Sequence, residues 1–433
     1  MDSKSQAAAA LEAAQARFMA RNPNSKRIHD DAVQSLPGGN TRSVLHTAPF
    51  PVVMKSGKGC HVVDEDGHEY VDLVGEFTAG LYGHSQPVIT STLQKTIADV
   101  GFSLGACTKQ EVEYAKLLCQ RFGLQRVRFC NSGTEANLHA LAAARAFTGR
   151  RKVVVFEGGY HGAVLSFGHG VAANNVDKAD WVVARYNDIE SARKAVEETP
   201  DVAAVLLEGM QGAGGCIPAS PDFLLAVQRA AAKVGALFII DEVMTSRLSP
   251  GGLQSMMGLS PDLTTLGKYL GGCLAFGAFG GRQDVMSVYD PREAGALAHS
   301  GTFNNNTLAM HAGFAGLSRV YTPEASTALT QIGVELLARL RSVTHGTKAT
   351  FTGVGSVMSL HVTDSGIRDL TRADVEERED IKDLFWFEML ESGFWITRRG
   401  MLALILDTPQ EEQDRFVDTV SAFVERYREL LTV

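Results

Sequence analysis

Leu237-Phe238-Ile239-Ile240-Asp241-Glu242-Val243-Met244-Thr245-Ser246-Arg247 and, downstream, Leu263-Thr264-Thr265-Leu266-Gly267-Lys268-Tyr269-Leu270-Gly271-Gly272 decide the fold of this chain. Each begins with an apolar run of strand length and ends on a charged side chain. The spacing from Asp241 to Lys268 suits one crossover between neighbouring parallel strands, which sets the two charges at adjacent strand ends. Similar runs occur at 126–130, 153–156 and 203–207, with helical periodicity at 111–122, 134–147 and 221–234. Continuous apolar strands alternating with helices indicate an α/β fold whose mostly parallel sheet is covered by helices on both faces.

Around this centre the texture changes. Residues 1–20 are alanine-rich and read as a helical arm, which is free to rest on a partner subunit. A helix over 28–36 stops at Pro37-Gly38-Gly39, and alternating stretches from 52 to 73, with Asp66-Gly67 as a turn, read as a small antiparallel patch. Strands follow near 353–361 and 394–406, and an amphipathic helix covers 410–431. The expected division is an arm and part of a small domain in 1–75, a large domain in 76–320, and the rest of the small domain in 321–433.

Composition narrows the function. Of 433 residues, 45% are hydrophobic and 21% charged, with 41 basic against 49 acidic side chains, a net charge of −8. That balance disfavours nucleic-acid and anionic-membrane partners and leaves small molecules. No run reaches the roughly 18 apolar residues of a membrane span. Cys60, Cys107, Cys119, Cys130, Cys216 and Cys273 are scattered without a CxxC pair, so free thiols, no metal site and a cytosolic address are expected.

Sites in open α/β sheets gather at strand carboxyl ends. After 126–130 comes Asn131-Ser132-Gly133-Thr134-Glu135-Ala136-Asn137, which opens a helix with hydroxyls and free N–H groups suited to an anion such as phosphate. Alone it is an ordinary helix cap. After 153–156 comes Glu157-Gly158-Gly159-Tyr160-His161-Gly162, close-approach glycines and a flat ring. Asp241 is a carboxylate leaving a buried strand, costly unless it meets a positive partner such as a pyridinium; metal ligation is the weaker alternative, because no histidine pair accompanies it. Lys268 among glycines should be poorly solvated, with a lowered pKa and a nucleophilic amine. Phosphate cradle, flat face, carboxylate and lysine are together the parts that hold pyridoxal 5′-phosphate.

These motifs resemble the signature of class III pyridoxal phosphate aminotransferases of fold type I, as does His299-Ser300-Gly301-Thr302-Phe303. The likeness runs from Leu36-Pro37-Gly38-Gly39 to the last helix. Within the class the chain is similar to glutamate-1-semialdehyde aminomutases and closest to β-amino-acid (β-phenylalanine) aminotransferases. The resemblance implies that Lys268 binds the cofactor covalently and then moves a proton between substrate and cofactor. Asp241 would pair with the ring nitrogen, Tyr160 would stack on the ring, and Ser132, Gly133 and Thr134 would take the phosphate. Thr302 would reach in from a second subunit, making a homodimer. Glu208, followed by Gly209 where the family commonly has proline, matches a glutamate near the cofactor's phenolic side.

For substrates, the resemblance matches Arg42 to an arginine for the β-amino-acid carboxylate. Arg398-Arg399-Gly400 occupies the stretch that binds the keto-acid carboxylate, and the position against Gly400 favours Arg399. Val44, Phe77 and Met244 would line an apolar pocket, with Met244 also counted to the cofactor site. The implied reaction is ping-pong amino transfer from a β-amino acid or related amine to pyruvate or 2-oxoglutarate. Two alternatives stay open: an aminomutase-type isomerase, against which Arg398-Arg399 and Asn304-Asn305-Asn306 stand, and an amine transaminase for bulky ketones.

Overall fold

A computed structural model describes residues 3–366, 370 and 376–433; Met1 and Asp2, at the head of the expected arm, lie outside them. Its central sheet contains β1 (Arg126–Cys130), β2 (Lys152–Phe156), β3 (Trp181–Ala184), β4 (Val202–Glu208), β5 (Leu237–Asp241), β6 (Leu263–Gly267) and β7 (Gly277–Gly281). They lie in the order β1-β7-β6-β5-β4-β2-β3. The expected crossover is present: β5 and β6 pair in parallel, with Asp241 opposite Thr265. On its other side Asp241 lies opposite Glu208.

The sheet is covered on both faces, and strand periodicity explains how. Val153, Val155, Ala204, Leu206, Leu237 and Ile239 join one apolar cluster with Ala136, Ala140 and Leu141 of α1 (Gly133–Thr148). The alternate residues Val154, Phe156, Val205, Leu207, Phe238 and Ile240 join another, with Phe223 and Val227 of the helix Pro221–Val234. Successive strand side chains point to opposite faces. Each fully buried Val, Leu, Ile or Phe contributes about 1.5–3 kcal/mol, so this double set is the main source of the sheet's stability.

The sequence reading missed β7, the sheet's one antiparallel member, paired with both β1 and β6. Gly277-Ala278-Phe279-Gly280-Gly281 has no branched residues to signal a strand. Its glycines are there for close approach. An added Cβ would lie 2.1 Å from the Ser132 carbonyl oxygen at Gly277 and 2.3 Å from that of Arg126 at Gly280.

Two smaller sheets flank the centre. Met54–Lys58, His61–Asp64 and Glu69–Asp72 form the antiparallel patch, starting two residues later than expected, and Phe394–Trp395 adds to it in parallel. Ala349–Val354, Val357–Val362 and Met401–Ala403 form the other. The expected run over 394–406 is therefore two short strands in different sheets, and the turn between them carries Arg398 and Arg399. The N-terminal helix Ser3–Arg21 packs on its own chain: Ala7, Ala14 and Phe18 are buried, and Arg17 binds Glu388 at 2.7 Å and Glu391 at 2.9 Å.

Replacing Gly277 by alanine forces β7 away from Ser132. The expected cost is about 1–3 kcal/mol, measured as a shift of the denaturation midpoint, with weaker cofactor retention because Ser132 moves too.

Candidate active site

Asp241 is 5% exposed at the carboxyl end of β5. A carboxylate this buried needs donors, and three reach it. Asn137 Nδ2 and His161 Nδ1 each lie 2.8 Å from Oδ2, and the Val243 N–H lies 2.9 Å from Oδ1. Asn137 is itself fixed, accepting from Thr265 Oγ1 at 2.8 Å and donating to the His161 carbonyl at 3.0 Å. The neighbouring Glu242 is separate: buried and pushed up to about 7, it accepts from Thr245 Oγ1 and the Gln254 N–H at 2.5 Å each and holds the loop after β5. Asn137 and His161 were visible inside quoted motifs, but nothing in one sequence marks them as donors to Asp241.

Ser132 caps α1, its Oγ accepting from the Glu135 N–H at 3.2 Å. The N–H groups of Gly133 and Thr134, at the head of the helix, have no acceptor among the described residues, and the positive end of the helix dipole adds to them. The turn after β2 closes on this cradle: a Cβ at Gly162, where φ is +126°, would meet Thr134 Oγ1 at 2.3 Å. Val243 is the apolar wall. A Cβ at Gly133 would lie 2.7 Å, and one at Gly267 3.3 Å, from Val243 Cγ1. Met244 is buried with Met210, Cys216, Leu248 and Met401 and packs against Gly212, whose N–H binds Glu208.

Lys268 follows Gly267 at the end of β6 with φ +56°, and its Nζ donates to the Phe77 carbonyl at 2.6 Å and to Thr78 Oγ1 at 2.9 Å. Burial pushes its amine down to about 8, and the charge of Arg399 adds to the effect; Asp241 and Glu208 oppose it. Both acceptors sit on an unusual turn, Gly75–Thr78, in which Gly75, Glu76, Phe77 and Thr78 have φ of +49°, +47°, +53° and +79°. Left-handed backbone costs a residue with a Cβ about 1–2 kcal/mol, so three in a row persist only because their surroundings hold them.

Glu208, at the end of β4, accepts from the Tyr160 N–H and the Gly212 N–H, each at 2.9 Å. Burial raises it to about 7, a carboxyl group able to donate as well as accept at neutral pH. Glycine follows it for a packing reason: a Cβ at Gly209 would lie 2.4 Å from Leu253 Cδ2. The Tyr160 side chain is 45% exposed.

The arginines separate clearly. Arg398 is fully engaged, bidentate to Asp383 at 2.5 and 2.6 Å and donating to the Ala48 carbonyl at 2.8 Å. Arg399 has no carboxylate within ion-pair distance among the described residues, and its Nε is buried without a partner. Among the described residues its one side-chain contact of hydrogen-bond type is Met401 Sδ at 3.3 Å, and its guanidinium lies 5.6 Å from the Phe77 ring centroid. Arg42 lies over the same ring at 4.9 Å and is paired with Glu76. Val44 is 47% exposed on the turn Ser43–Leu45 beside Arg42. Thr302 is exposed on a loop tied to the cradle by Asn304, whose Oδ1 accepts from Asn131 Nδ2 at 3.0 Å. The structure thus brings Ser132, Gly133, Thr134, Tyr160, Glu208, Asp241, Lys268, Phe77 and Arg399 to one region, with Met244 packed beside Glu208's partner Gly212 and Arg42 at its edge, and sets Arg398 apart. No group of His, Cys, Asp and Glu able to hold a metal occurs among the described residues.

The chain is similar to known proteins. The family description "Aminotransferase class-III" matches residues 43–410. The chain is 50% identical to an uncharacterized aminotransferase of Schizosaccharomyces pombe, over 98% of this chain and 97% of that protein. It is 46% identical to the beta-phenylalanine transaminase of Variovorax paradoxus, again over 98% and 97%. A solved beta-phenylalanine aminotransferase from the same organism superposes with a TM-score of 0.96 at 45% identity, over 98% of this chain and 99% of that one. A glutamate-1-semialdehyde 2,1-aminomutase of Chloroherpeton thalassium is 33% identical over 90% and 94%. The chain belongs to the class-III aminotransferases. It is a pyridoxal phosphate-dependent transaminase of fold type I, and the free N–H groups at the head of α1, the buried acceptor Asp241 and the low-pKa amine of Lys268 fit that cofactor.

Capture of pyridoxal phosphate by the apoprotein should quicken as pH rises through about 8, where Lys268 loses its proton. Arg399→Met removes a positive neighbour and should move that inflection up; Asp241→Asn removes a negative one and should move it down. Stopped-flow absorbance across a pH series measures both.

Proposed function

We propose that this class-III aminotransferase moves an amino group from a β-amino acid or related amine, aromatic ones included, to pyruvate or 2-oxoglutarate in a ping-pong sequence. The observation that carries the reading is Arg399: a half-buried guanidinium, its Nε buried, without a carboxylate, sharing the Phe77 ring with Arg42 and close enough to Lys268 to lower its pKa. A transaminase receives two carboxylates in turn at one site, and two arginines about one aromatic ring provide for both. The similarity to the Variovorax paradoxus transaminase points to the same donor class.

Bound pyridoxal phosphate supplies a carbonyl for the substrate amine and an electron-accepting ring. Lys268 holds the cofactor and, once released, carries a proton at its Nζ over a short distance, which makes the transfer effectively intramolecular. Phe77 and Thr78 orient that nitrogen. Asp241 keeps a proton on the ring nitrogen, and its own orientation is fixed by Asn137 and His161. Gly133 and Thr134, with the Ser132 hydroxyl, take the phosphate at the head of α1. Tyr160 would stack on the ring, with Met244 nearby, and Glu208 would hydrogen-bond on the phenolic side. Arg399 receives the keto-acid carboxylate and Arg42 the β-amino-acid carboxylate, with Phe77 and Val44 against an aryl group.

The proposal includes a homodimer in which Thr302 reaches the partner's phosphate site. An exposed apolar patch supports it: Phe303, Phe102 and Leu104 are 59%, 63% and 54% exposed, and Thr307 Oγ1 ties the two segments, 2.7 Å from the Gly101 and Phe102 carbonyls. The division into 1–75, 76–320 and 321–433 belongs to the same proposal. So does a cytosolic address, which six free cysteines suit.

A donor panel against both keto acids should give parallel double-reciprocal lines with β-phenylalanine among the accepted donors; intersecting lines, or steady conversion of glutamate-1-semialdehyde with no keto acid present, would overturn the reading. Arg399→Ala should raise KM for 2-oxoglutarate at least about 30-fold, the ~2 kcal/mol lower bound for a buried charge partner. Light scattering should give twice the chain mass, and Thr302→Ala should weaken cofactor retention.

A further inference from the structure

We propose that Glu76 governs which substrates engage Arg42, by occupying its guanidinium until a donor carboxylate displaces it. This rests on Arg42 being the donor's carboxylate site. The two arginines over the Phe77 ring are in opposite states. Arg399 is half-buried with no carboxylate beside it among the described residues, whereas Arg42 is paired with the side chain of Glu76. Glu76 is one residue from the ring the arginines share and from the carbonyl that holds Lys268 Nζ.

A solvated surface pair is the ordinary alternative, since Arg42 and Glu76 are 43% and 60% exposed. The backbone argues against it. A merely solvated glutamate needs no particular conformation, yet Glu76 sits at φ +47° and ψ +46° within a left-handed turn whose next residues bind the lysine. The turn that positions the lysine also delivers a carboxylate to Arg42.

Selectivity follows from charge. The Arg42–Glu76 pair is neutral overall, so a keto acid is drawn to the unmasked Arg399. A donor carboxylate must replace Glu76 in a one-for-one exchange, and an amine without a carboxylate meets a neutral end that it need not disrupt. Glu76 is therefore a specificity-determining residue, lowering affinity for acidic donors while leaving room for neutral ones.

The test uses the holoenzyme and 3-phenylpropanoate, which has the aryl group and carboxylate but no amine. Glu76→Gln should tighten its calorimetric Kd about three-fold, the scale of a partly exposed ion pair, and lower KM for β-phenylalanine similarly. KM for 2-oxoglutarate in the second half-reaction should stay within about two-fold. Glu76→Asp, which keeps the charge on a shorter arm, should fall between. Arg42→Ala should weaken 3-phenylpropanoate, and Glu76→Gln in that background should recover part of the loss by removing an unpaired negative charge. An unchanged or weakened Kd in Glu76→Gln overturns the proposal. So does a variant that alters both half-reactions and the cofactor's visible absorbance alike, because that marks a role in holding the turn. If the unmodified enzyme accepts no β-amino acid, the donor assignment falls, and 3-phenylpropanoate binding still decides the role of Glu76.

Discussion

Asp241 keeps its carboxylate almost out of water, and the three donors that make this tolerable come from different parts of the chain. Asn137 belongs to α1, His161 to the turn after β2, and Val243 to the loop leaving β5. Thr265 of β6 steadies Asn137 from a fourth direction. An uncompensated buried carboxylate costs several kcal/mol, so helix, turn and strands are locked in one relative position. Those same elements carry the phosphate cradle, the exposed Tyr160 ring and the lysine. Satisfying one buried charge therefore assembles the surroundings of the cofactor.

Most of the centre was legible because its signals are local. Apolar runs gave β1, β2, β4, β5 and β6, and the residues just past them gave Ser132, Tyr160, Asp241 and Lys268. Legibility failed where a residue's purpose lies in a distant neighbour. The glycines of β7 make room for the carbonyls of Ser132 and Arg126, which no propensity foretells. Asn304, Asn305 and Asn306 read as one polar run, yet each has a separate task. Asn304 holds the cradle, Asn305 reaches Glu111 at 3.0 Å, and Asn306 caps the helix Thr307–Ala315. The left-handed turn at 75–78 contains three residues that propensity places elsewhere.

That turn explains why the substrate end and the chemical end of the site cannot be treated separately. Its carbonyl and hydroxyl hold the lysine, its ring lies against two guanidinium groups, and its carboxylate neutralises one of them. Arg399 is left as the uncompensated charge of the pocket, which costs solvation and at the same time keeps the neighbouring amine less basic. Poor solvation thus acts twice: it leaves the Arg399 Nε without a partner and keeps the lysine amine less basic.

Glu388 has a different consequence. It is 6% exposed and gathers Arg17 from the first helix with Arg426 and Tyr427 from the end of Gln410–Arg426, at 2.7, 2.6 and 2.8 Å. Segments some four hundred positions apart along the chain are buttoned to a single anchor. Fraying at the first helix strips that anchor of a cation and loosens the last, so the two ends of the polypeptide open and close as one cooperative unit, like a clasp and not like two loose tails.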